Sequence, residues 1–71
     1  MTLTEAMTWI DAQRTRDPLR ITAFMTMSGE VWLSSSTGDV LLVLHSDDEG
    51  EANRMLIDLK EYLRLTERAH V

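Results

Sequence analysis

The sequence predicts an α+β domain over residues 1–71, ordered α-β-β-β-α, with an antiparallel three-stranded meander and two helices packed on one face. Three observations carry that prediction. Apolar residues recur at helical spacing near both ends, each time behind a candidate N-cap. The middle of the chain switches to two-residue alternation and short apolar runs. Two glycine-containing turns, Ser28-Gly29 and Thr37-Gly38-Asp39, divide that middle into three strands joined by short loops.

The first helix is expected from Leu3 to about Arg14. Thr2 and Glu5 have the spacing of a capping box, in which a hydroxyl takes the backbone N–H three residues on and the carboxylate reaches back. Leu3, Ala6, Met7 and Ile10 form its apolar stripe. Trp9 lies off the stripe by roughly a quarter to a third of a turn. Pro18 disfavours helical backbone at Asp17 and ends the segment. Arg14, Arg16 and Arg20 are expected as solvated cations around that helix end.

Leu19 to Met27 reads as the first strand, with Leu19, Ile21, Ala23, Met25 and Met27 on one face and Arg20, Thr22, Phe24 and Thr26 on the other. Val31-Trp32-Leu33 is the second, fading into Ser34-Ser35-Ser36. The hairpin register is open to two readings. A two-residue loop sets Met25 opposite Trp32. A three-residue loop through Glu30 sets Met27 opposite Val31 and Met25 opposite Leu33. The three-residue reading is preferred because it groups the aliphatics and leaves Phe24 with Trp32 on the reverse. A one-residue slip would swap the faces.

Val40-Leu41-Leu42-Val43-Leu44 is the third strand. It does not alternate, so both of its faces are apolar and call for cover. Ser46-Asp47-Asp48-Glu49 then matches a second capping box, and the last helix is expected from Asp47 to about Arg68. Ala52, Met55, Leu56, Leu59, Tyr62, Leu63 and Thr66 fall on one stripe, with acids at its start and Lys60, Arg64 and Arg68 toward its end. Such a helix, roughly 33 Å long, should overhang a strand of about 20 Å. Leu63, Leu65 and Ala69 are therefore expected to need outside cover.

Composition narrows the function. Seventy-one residues bury a limited core, and no cysteine is present to staple it, so self-association is the remaining reinforcement. The net charge of −5 argues against direct contact with nucleic acid phosphates or an anionic membrane. No apolar run approaches a membrane span, and Met1 to Glu5 lack a signal-peptide pattern, so a cytoplasmic location, in its own or a host cell, is expected.

Specific chemistry is sparse. His45-Ser46-Asp47-Asp48-Glu49-Gly50-Glu51 has mixed donors but fails the calcium-loop pattern and offers too few converging ligands for zinc. Ser34, His45 and Asp47 can be drawn as a catalytic trio, but no nucleophile-elbow glycines flank a serine. The three glycines are isolated, with no phosphate loop. No catalysis, cofactor or metal is expected.

The expectation is thus a small acidic protein–protein interaction module, homodimeric, binding through an apolar sheet face or through the edge of the third strand. Phe24, Trp32, Leu42, Leu44, Trp9 and Leu65 are the candidate contact residues, because large apolar side chains uncovered by so short a chain mark an interaction site. The alternative is a phage-type inhibitor that blocks a nucleic-acid-binding host defence complex, in the manner of an anti-CRISPR protein. By analogy of size and charge alone, Asp47, Asp48, Glu49, Glu51, Asp58 and Glu61 would imitate phosphates on its acidic surface.

Overall fold

A computed structural model describes residues 1–15 and 20–69, with side chains through Thr66. Arg16, Asp17, Pro18 and Leu19 lie outside the described residues, as do the side chains of Arg68 and Ala69. The order is α1 (Leu3–Arg14), β1 (Ile21–Met25), β2 (Glu30–Ser35), β3 (Val40–His45) and α2 (Glu49–Ala69). The strands form an antiparallel sheet in sequence order, so β1 and β3 are its two edges. This is the α-β-β-β-α meander expected from the pattern.

The capping box of α1 is in place. Thr2 Oγ1 accepts from the Glu5 N–H at 3.2 Å, and the Thr2 N–H donates to Glu5 Oε1 at 3.2 Å. That backbone bond, then the Thr2 hydroxyl, holds the Glu5 carboxyl below its ordinary pKa by favouring the charged form. The start of α2 differs from expectation. Asp48, not Ser46, is its N-cap, with Oδ1 accepting from the Gly50 N–H at 2.9 Å and the Glu51 N–H at 3.4 Å. Ser46 Oγ instead accepts from the Asp48 N–H and donates to Glu51 Oε2, at 3.1 and 2.9 Å. The helix starts later because a run of side-chain acceptors competes for the same orphan N–H groups, and the aspartate nearer the helix takes them.

The core is one cluster on a single sheet face: Ala6 and Ile10 from α1, Ile21, Ala23, Val31, Leu33 and Val43 from the sheet, and Ala52, Leu59 and Leu63 from α2. The stripe foreseen on α2 is its buried and half-buried face. Leu63 corrects the overhang argument: it is buried by its own chain. The C-terminal part of α1 supplies the cover. Tyr62 Oη donates to Asp11 Oδ1 at 2.7 Å, and Arg14 donates to the Leu63 carbonyl at 3.2 Å and to the Thr66 hydroxyl. Arg14 is therefore a strut between helices rather than a solvated cation.

The first hairpin also differs in detail. Met25 pairs with Val31, Phe24 with Trp32 and Ala23 with Leu33. The Thr26 N–H donates to the Glu30 carbonyl at 2.8 Å, so Met27-Ser28-Gly29 is the loop. The face assignment matches the preferred register, but the pairing is shifted by two residues. Met27 is not opposite Val31; it is fully exposed at the loop tip. A two-residue shift preserves which side chains share a face, so the apolar pattern alone could not distinguish these two pairings.

Candidate functional site: the outer sheet face

The face turned away from the core is built by alternation. Phe24 lies across from Trp32, and Trp32 lies across from Leu42, giving one continuous row over all three strands. Thr22, Ser34 and Val40 form the next row. Phe24 is 41% exposed, Leu42 39% and Val40 58%, and Trp32 is half-buried. In a three-stranded sheet these residues cover one another only edge to edge. An aromatic–aromatic–aliphatic row across a sheet contributes roughly 0.2–1 kcal/mol per cross-strand pair, and it leaves much apolar surface in water.

The third strand is not straight. Val31 pairs with Leu44 whereas Trp32 pairs with Leu42, which leaves Val43 as an extra residue in a bulge. Alternation from Leu41 already puts Val43 on the core face; the bulge explains why Leu44, expected at the contact, is half-buried and packed against the core. Trp9 is likewise half-buried against the core, despite lying off the α1 stripe. Leu65 is exposed on α2, as is Ile57. Of the six residues expected at a contact, the structure brings Phe24, Trp32 and Leu42 together on the outer face.

The acidic residues of the alternative reading are all exposed. Three of them have local work: Asp48 caps α2, Glu51 accepts from Ser46, and Glu61 pairs with Arg64 at 2.8 Å. Among the described residues, no three His, Asp or Glu side chains converge as a metal site. Ser34 and His45 do not meet. Ser34 pairs with Val40 and His45 with Glu30, at opposite ends of the sheet and about 13 Å apart along the strands. No helix among the described residues is long and apolar enough to cross a membrane.

One arrangement was not foreseen. Arg20 at the start of β1 and Lys60 and Arg64 on α2 line one open cleft with Ile21, Thr22, Ala23 and Leu63. Forty residues separate Arg20 from Lys60, and scattered cations carry no period that could have signalled the meeting.

The chain matches no protein-family model, no curated protein and no solved structure.

Proposed function

We propose that this chain is a protein-interaction module that works as a homodimer, joined through its outer sheet face. The uncovered Phe24–Trp32–Leu42 row is the observation that carries this reading. A second copy is the proposed occupant because the row carries no charge, so two copies of it can meet without like-charge repulsion, whereas the rest of the surface is net acidic and repels its like. Two sheets stacked about 10 Å apart would interleave their Phe24, Trp32, Val40 and Leu42 side chains into a second core.

Of the two contacts open to this domain, the face is favoured over the free edge of β3. The bulge at Val43 kinks that edge partway along, and bulges of this kind blunt edge-to-edge pairing. The flat area of three short strands is on the order of 250 Å², against about 800 Å² per partner in a stable interface. The face therefore forms the centre of the contact, with the exposed Met27 loop and neighbouring turns extending it.

Light-scattering mass of the full chain across a concentration series tests the proposal. The mass should rise from 8.1 kDa toward twice that, and added salt should not reverse the rise. A mass that stays at 8.1 kDa at high concentration would overturn it.

A further inference from the structure

We infer that the cleft between β1 and α2 binds an acidic peptide in extended conformation, added to the sheet as a fourth strand along β1. The Phe24–Trp32–Leu42 row of the outer-face contact does not line this cleft.

The backbone supplies the first half of the argument. In an antiparallel ladder, residues whose N–H and C=O point at the neighbouring strand alternate with residues whose groups point away. The Thr26 N–H donates to the Glu30 carbonyl at 2.8 Å, and the Ser36 N–H donates to the Arg20 carbonyl at 2.9 Å. These two bonds, at either end of β1, set the phase: the even-numbered residues face β2. The N–H and C=O of Ile21 and Ala23 consequently face the outer edge, and both residues line the cleft. Among the described residues, no turn, loop or side-chain group bonds them. Unpaired strand edges are templates for another strand, and a groove between an edge strand and a helix is a recurrent seat for one.

Charge supplies the second half. The chain has seven Lys and Arg against twelve Asp and Glu, yet three of those seven cations line this one cleft. Among the described residues, Arg64 pairs with Glu61, at 2.8 Å, with both side chains 55% exposed. A surface pair of that kind is weak and can exchange partners. Side chains of an added strand alternate, so every second one would point to the α2 side of the sheet, toward Lys60, Arg64 and the rim of Leu63. The cleft, about 390 Å³ and open along one side, admits a few such residues. The fitting ligand has acids at alternate positions. A polynucleotide lacks the repeating N–H and C=O that the edge of β1 requires, and the net charge of −5 repels it.

The probe is a blocked five-residue peptide of alternating glutamate and valine, titrated into the full chain and followed by backbone amide NMR. Saturable shifts at Ile21, Thr22 and Ala23 are expected, with slowed hydrogen exchange at the Ile21 and Ala23 amides. The double variant Lys60→Glu/Arg64→Glu changes only exposed positions of α2 and should weaken binding on the order of tenfold or more. A peptide with lysine replacing glutamate should not bind. The Leu42→Lys variant, whose change lies on the outer face, should bind the glutamate peptide as the parent chain does. Absence of saturable binding, binding without protection of Ile21 and Ala23, equal binding of the lysine peptide, or tighter binding of an oligothymidylate would each overturn the inference.

Discussion

Phe24 and Trp32 stand directly opposite one another across β1 and β2, on the face that neither helix covers. Leu42 continues the pair onto β3. On a chain this short, that row has to be either a solvated oddity or half of a contact. Replacing Leu42 by lysine tests which. The position is exposed, so the monomer should keep its fold, while a charge at the centre of a stacked interface would have to be buried without a partner. If the parent chain forms the proposed dimer, Leu42→Lys is expected to remain at 8.1 kDa across the same concentrations, with an unchanged far-ultraviolet circular dichroism spectrum. Retained dimerisation would move the contact away from this face.

The opposite face behaves as a conventional core. Leu33 is fully buried in the one core cluster, to which both helices and all three strands contribute. Leu33→Ala removes buried methyl groups and leaves a cavity, a change that costs about 2–5 kcal/mol. A domain of this length has a total stability of roughly 4–10 kcal/mol. The variant should therefore lose from about a fifth to all of its stability, read as the shift in a urea unfolding midpoint. A shift equivalent to under about 1 kcal/mol would mean that the site collapses around the smaller side chain.

What could be read from the residues follows from which signals are periodic. The α2 stripe from Ala52 to Thr66 repeats over several turns, and every member is buried or half-buried. Thr2 and Glu5 form their box because a single candidate cap precedes α1. At α2 the sequence offers Ser46, Asp47 and Asp48 in succession, and spacing alone does not rank them. The faces of β1 and β2 were legible through alternation, but the pairing was not, since a shift of two residues leaves each face unchanged. The bulge at Val43 was hidden for a related reason: Val40 to Leu44 is apolar throughout, so an extra residue disturbs no pattern. Arg14, Arg20, Lys60 and Arg64 took up positions set by tertiary packing, which one-dimensional spacing does not encode.

The two turn glycines separate backbone strain from steric contact. Gly29 has φ +82° and Gly38 φ +97°, both in the region that side chains disfavour. A Cβ on Gly38 would meet open space, whereas one on Gly29 would run into the Ser46 carbonyl. Gly29 is also stitched to that residue, its carbonyl accepting from the Ser46 N–H at 3.1 Å. Gly38→Ala should cost the backbone term alone, about 1–2 kcal/mol. Gly29→Ala should cost clearly more, because the turn must separate from the segment leading into α2. Equal losses in paired urea denaturations would show that the Gly29 turn relaxes freely.

Tyr62 offers a spectroscopic reading of the contact between the helices. Its hydroxyl donates to Asp11 Oδ1 at 2.7 Å, and that bond raises the phenol above its ordinary value of 10.0, with burial adding in the same direction. The sign follows from the bond needing the phenol's proton. With a raised pKa in the folded state, the bond's contribution is complete below pH 10 and is lost as pH climbs through the raised value. Tyr62 is the chain's one tyrosine, so ultraviolet absorbance titration reports it without overlap from another phenol. The parent chain should ionise above the ordinary tyrosine value, and Asp11→Asn should bring the midpoint back toward it. Tyr62→Phe should cost no more than about 1 kcal/mol near neutral pH, since the bond is exposed to competing water. It should also remove the alkaline loss of stability assigned to this residue. A parent midpoint at the ordinary value would show that α1 and α2 do not hold Asp11 and Tyr62 together in solution.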